Sequence, residues 1–142
     1  MPLYSTAMRV NDPKIVAEIE AELARYEAAL VARDVETLDS CFWNDPGVVR
    51  YGTHENLYGA DAIRAFRRSV KPGGHAKAGI RRTVISTFGP DFATVSLEFD
   101  ARRGGIGRQQ QSWVRLPEGW RVVAAHVSYL PDPHLPGAPA SS

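Results

Sequence analysis

Four side chains in this chain are suited to chemistry and sit on segments otherwise built for a core: Tyr26, Arg50, His126 and Ser128. Gly119–Ser128 reads as a strand, because Val, Trp and small apolar residues dominate it and Pro117-Glu118-Gly119 supplies a turn before it. Alternation along a strand puts Trp120, Val122, Ala124, His126 and Ser128 on one face. That face begins as core and ends in an imidazole and a hydroxyl, the pattern of an apolar pocket with convergent polar groups. The plain alternative is that His126 hydrogen-bonds a buried neighbour. Tyr26 is the one hydroxyl in a helical stripe of Ile15, Ile19, Leu23 and Leu30. Arg50 lies between Val49 and Tyr51, so it points either into the fold or into solvent, opposite to its two neighbours.

A guanidinium offers a planar fork of donors that grips a carboxylate through two bonds, so Arg50 can orient a small acid. A phenol beside that cation has its anionic form favoured and can exchange a proton with a nitrogen or a carbonyl oxygen. Further donors come from Arg108, Gln109 and Gln111, but alternation sets Arg108 opposite the two glutamines. Only one set can line a pocket; we assign Arg108 to it, with the face left open. Asn56 and Tyr58 lie in a short hairpin at the expected rim, and Phe42, Trp43, Tyr58 and Phe66 supply aromatic walls. His54 reads as an exposed loop histidine.

These groups need elements to hold them. Asp12-Pro13 is a helix start, an N-cap followed by a proline at the first helical position. Arg33-Asp34 breaks that helix, and Asp34 caps a short second one carrying Leu38, Cys41 and Phe42. Asn44–Gly47 is a turn, followed by short strands at 48–52 and 56–58 and a third helix from about 60 to 70. From Gly79 the period becomes twofold, predicting long strands at 80–88, 92–100, 107–116 and 120–130 joined by short turns as an antiparallel meander. The expected class is α+β, with helices on one sheet face. The expected organisation is an arm over 1–12, one domain over 13–130 and a proline-rich extension over 131–142.

Composition excludes several functions. A net charge of +1 with dispersed arginines argues against nucleic acid. No apolar run approaches a membrane span and no signal peptide is apparent, so a cytoplasmic protein is expected. A single cysteine, Cys41, permits no internal disulfide and reads as a small core residue. No metal-ligand spacing, serine-hydrolase elbow or phosphate loop is present, so we expect no metal and no cofactor.

Three local motifs sharpen this reading: Val49-Arg50-Tyr51-Gly52 followed by Glu55-Asn56-Leu57-Tyr58-Gly59; Ala62-Ile63-Arg64-Ala65-Phe66-Arg67; and Gly107-Arg108-Gln109-Gln110-Gln111-Ser112-Trp113-Val114-Arg115. With the Gly119–Ser128 strand they resemble the AtzH-like family of the nuclear transport factor two-like (SnoaL-like) superfamily, whose members include proteins of oxalurate and cyanuric-acid catabolism. Gln110 and Ser112 depart from the small polar residues expected there. The resemblance implies a cone-shaped, strongly curved antiparallel sheet with three N-terminal helices on its concave side. It also implies a pocket that brings Tyr26 and Arg50 together and cleavage of an amide or carbamate, with or without decarboxylation, in a carboxylated urea such as a dicarboxyurea. It further implies a homodimer through the sheet and pathway association with an amidase. The competing expectations are a cofactor-free isomerase or cyclase with His126 or Glu98 as base, and a non-catalytic small-ligand module.

Overall fold

The computed structural model describes residues 8–70, 79–101 and 104–131. Its elements run α1 (Pro13–Ala32), α2 (Val35–Ser40), β1 (Val49–Tyr51), β2 (Asn56–Tyr58), α3 (Ala60–Ser69), β3 (Ile80–Phe88), β4 (Phe92–Asp100), β5 (Ile106–Leu116) and β6 (Gly119–Leu130). All three helices precede the long strands, with β1 and β2 placed between α2 and α3. The Asp12 carboxylate accepts from the Lys14 amide, Pro13 opens α1, and Arg33 closes it in the left-handed region at φ 56°. Asp34 then caps α2 by accepting from the Thr37 amide.

The six strands form one sheet in the order β2-β1-β6-β5-β4-β3. β3 to β6 are the expected antiparallel meander. The sheet is not wholly antiparallel, however: β1 runs parallel to β6, with Arg50 opposite Ala125 and Tyr51 opposite His126. The sheet also stays open, with β2 and β3 as its two edges. Three-residue β1 is too short for its sequence to announce a direction. Its direction follows from the chain, since Cys41–Trp43 already runs parallel beside Val122, bonded through Val122 N–H to Cys41 O at 2.8 Å and Trp43 N–H to Val122 O at 3.0 Å. Of the expected arm, Arg9 and Asn11 bond to the end of β3 and its turn, where the Thr87 amide donates to Asn11 Oδ1 at 2.8 Å. Residues 1–7 and the extension beyond Pro131 lie outside the described residues.

One sheet face is core. Ala93, Val95, Leu97, Phe99, Trp113, Trp120, Val122 and Ala125 are buried from the strands, against Ile15, Ile19, Leu23, Tyr26, Ala29 and Leu30 of α1. We call this face inner. The helical stripe is the one the spacing predicts, and burying each large aliphatic member contributes about 1.5–3 kcal/mol. The other face carries Arg82, Val84, Ser96, Glu98, Arg108 and Gln110, and no helix among the described residues packs on it.

Candidate active site

The position of His126 and Ser128 turns on one residue. On β5, Ser112 and Trp113 are adjacent, but their partners on β6 are Ala124 and Val122, so Val123 is an extra residue in the ladder. Such a bulge reverses the alternation that follows it. Trp120 and Val122 face inward as expected; beyond Val123 the inward residues are Ala125 and Val127. His126 and Ser128 therefore lie on the outer face, and the expectation that they share a pocket with Tyr26 and Arg50 is corrected. Arg108 lies there too, its guanidinium donating to Ser128 Oγ at 3.0 and 3.2 Å. Asn56 and Tyr58 are likewise outward, because Leu57 between them packs on the core. Tyr58 is exposed, its hydroxyl 3.2 Å from that of Tyr51, and the Tyr51 ring stands edge-on to His126 at 5.7 Å. That hydrogen bond pushes the Tyr58 phenol above its ordinary value.

The inner face gathers the remaining candidates. Tyr26 from α1, Arg50 from β1, and Ile63, Phe66 and Arg67 from α3, with Leu30, line one small cavity. Its free volume of about 10 Å³ holds roughly one water. Phe42 and Trp43 wall an adjoining cavity with Asp39, Ile63 and Arg67. The Arg50 side chain reaches inward over Phe66, 5.4 Å from the ring centre, and pairs with Glu55 at 3.0 Å. Tyr26 is buried and tilted against Phe42, ring centres 6.3 Å apart.

Sequence reasoning missed Arg67. It is 7% exposed, sits 5.0 Å over the Phe42 ring and pairs with Asp39 at 3.1 Å. Burial pulls its guanidinium below the ordinary arginine value; the Tyr26 phenol and the Asp39 carboxylate oppose that pull, and the charge of Arg50 adds to it. Two cations thus face one phenol. The signal lay in α3, where Arg67 falls four residues after Ile63 on the same buried stripe as Ala60. Glu55, also missed, closes the β1–β2 hairpin, where its carbonyl accepts from the Gly52 amide at 2.9 Å.

The face left open for β5 is settled by register: Gln109 and Gln111 point inward, each 2% exposed, and Arg108 and Gln110 point out. Gln111 Oε1 accepts from the Trp113 indole at 3.0 Å. Gln111 Nε2 and Gln109 Oε1 have no hydrogen-bond partner among the described residues. An unmet buried polar atom costs about 1–3 kcal/mol, so two on one face of one strand call for a reason.

The inner arrangement can bind anionic oxygen at Arg50 and Arg67 and give or take a proton at Tyr26. Both guanidinium groups already hold carboxylates, so an incoming acid would replace Glu55 or Asp39 as partner. The outer face instead offers an open groove of about 520 Å³, bordered by Arg82, Glu98, Arg108, His126 and Ser128.

The AtzH-like family model matches residues 8–133. The chain is 50% identical to a protein of the DUF3225 family from Pectobacterium atrosepticum, with 86% of this chain and 95% of that one covered at a TM-score of 0.81. It is 47% identical to a cystatin-like fold protein from Burkholderia xenovorans, covering 89% and 99% at a TM-score of 0.82. An NTF2-like protein from Pseudomonas putida, 17% identical over 92% and 97% of the chains at a TM-score of 0.73, shares the fold. No curated protein matches the sequence. With its family model spanning nearly the whole chain, this protein belongs to the AtzH-like family.

Proposed function

We propose that the inner cavity is the active site of an enzyme that breaks a C–N bond in a small carboxylated urea, in the branch of the family tied to oxalurate and cyanuric-acid catabolism. The observation that carries this reading is one small cavity lined by Tyr26, Arg50 and Arg67. Arg50 grips the substrate carboxylate with its planar fork. Tyr26 delivers a proton to the departing nitrogen as its C–N bond breaks. In hydrolysis the hydroxyl of water joins the carbonyl carbon and the proton joins the nitrogen. In decarboxylation the nitrogen keeps the bond pair, takes the proton, and CO₂ leaves. Both routes need an acid at nitrogen, and neither draws on a group outside this chain and water. Tyr26→Phe removes one hydroxyl and little volume, so it should fold normally and lose most turnover of a dicarboxyurea. Arg50→Lys should fail as well, because an ammonium cannot reproduce the two-bond grip. Parent-like turnover by both variants would end this reading.

A second reading, a cofactor-free isomerase or cyclase, rests on the outer groove, which presents His126 and Glu98 as bases. Fold neighbours named provisionally as a dehydratase from Streptomyces avermitilis and a ketosteroid isomerase from Parabacteroides distasonis are 16% and 15% identical and share the fold alone. Under that reading His126→Ala abolishes activity and Tyr26→Phe does not.

We also propose a homodimer through the outer face, where Val84, Phe88 and Phe92 expose apolar surface at 42%, 36% and 37%. Light scattering on a chain ending at Leu130 should return a dimer; a monomer at high concentration refutes it. No helix among the described residues is long and apolar enough to cross a membrane. We place the protein in the cytoplasm, working beside an amidase-type enzyme.

A further inference from the structure

We propose that Gln111 and Gln109 form an amide-reading pair on the sheet side of the inner site, selecting ligands in which an N–H stands beside a C=O. This rests on the inner-site reading above and names the part of the ligand that the arginines do not read. An indole N–H only donates, so the oxygen of Gln111 must face Trp113 Nε1, and its NH₂ group must point elsewhere. The NH₂ group of Gln111 is therefore a fixed donor, and Gln109 Oε1, on the same face of β5, is an acceptor without a partner among the described residues. The two residues share a face two positions apart, so their Cα atoms are roughly 7 Å apart.

Their placement ties them to Arg50. Gln111 lies opposite Ala125, and Ala125 lies opposite Arg50, so the three form one rung across β5, β6 and β1. Strands stand about 4.8 Å apart, which separates the Gln111 and Arg50 Cα atoms by roughly 10 Å. Only the Ala125 methyl group fills the rung between them. A carboxylate on the Arg50 fork thus leaves an attached ureido group over Ala125, its C=O toward the Gln111 NH₂ and its N–H toward Gln109 Oε1. The inward residues opposite them, Val95, Leu97, Ala125 and Val127, are apolar, so the two glutamines are the polar exception in this patch. Both unpaired atoms are closed to solvent in this form, so ligand entry must move their cover.

The test is calorimetric binding of two probes of matched shape. Hydantoate, N-carbamoylglycine, carries the carboxylate and the urea; 4-methylpentanoate is its hydrocarbon isostere and carries the carboxylate alone. The parent should prefer hydantoate by about tenfold or more. Gln111→Leu should bind 4-methylpentanoate as the parent does and bring the preference to within about twofold. Gln111→Glu keeps an oxygen for Trp113 and should lose hydantoate binding, which separates recognition from loss of the indole bond. Equal binding of both probes by the parent, or an undiminished preference in both variants, overturns the pairing and leaves the inner-site reading standing. Binding of neither probe overturns both.

Discussion

Asp39 and Arg67 provide a sharp test of the inner electrostatics, because they should respond unequally to losing one another. Their side chains are 12% and 7% exposed and meet at 3.1 Å. Removing one partner of a buried pair leaves an uncompensated charge and costs about 3–5 kcal/mol. In Asp39→Asn the amide oxygen still accepts one bond and Arg67 stays over Phe42, so we expect about 2–3 kcal/mol. In Arg67→Met the buried cation goes with its desolvation, while Asp39 keeps Arg68 at 2.8 Å, half exposed to water. That variant should lose about 1 kcal/mol or less. In urea, with a slope of about 1–3 kcal/mol/M, the midpoint should fall by about 1–2 M for Asp39→Asn and by well under 1 M for Arg67→Met. Adding hydantoate should recover more of the loss in Asp39→Asn than it adds to the parent, because the freed Arg67 gives an anion a partner. If Arg67→Met costs as much as Asp39→Asn, Arg67 is a packing residue and the inner site has one working cation.

Three further outcomes follow from particular contacts. Cys41 is fully buried and burial pushes its thiol up, so a thiol reagent at pH 8 should label it only as fast as the protein unfolds. The Trp120 indole and Arg115 hold the Glu18 carboxyl below its ordinary 4.5, so its stabilisation is present above pH 4.5 and lost as pH falls through the folded value; Glu18→Gln should lower the melting temperature at pH 7 and converge on the parent in acid. A methyl group on Gly52 would meet the Glu55 carboxylate and lie 3.1 Å from Arg50 Nη1, so Gly52→Ala should displace Glu55, lower the melting temperature by leaving the mostly buried Arg50 without its partner, and tighten carboxylate binding by several-fold, checked by calorimetry and melting together.

Much of the fold was legible because its signals are local. Asp12-Pro13 and Asp34 mark helix starts by capping chemistry, and the period-two pattern of Ala93, Val95, Leu97 and Phe99 gave β4 its buried face. The bulge was not legible. Val122-Val123-Ala124-Ala125 reads equally well with either pair inward, so hydrophobic pattern does not fix register across it, and strict alternation puts every residue beyond on the wrong face. The one extra residue, Val123, is why simple alternation puts His126 and Ser128 in the pocket; Asn56 and Tyr58 miss it for a different reason, because Leu57 is the inward residue of β2. Tyr26 and Arg50 lie on elements without a bulge, and one cavity holds both. Arg67 went unseen because a charged residue on an amphipathic helix is ordinarily solvated, and only the position of Asp39 explains why this one is buried.

A crystal structure with a small carboxylated urea soaked in tests the central claim most directly. The account predicts the ligand between α1, α3 and β1, its carboxylate on the Arg50 fork in place of Glu55, and the Tyr26 hydroxyl within hydrogen-bond reach of a ureido nitrogen. A ligand seated instead in the outer groove against Arg108 and His126, with the Arg50–Glu55 pair intact, would contradict it.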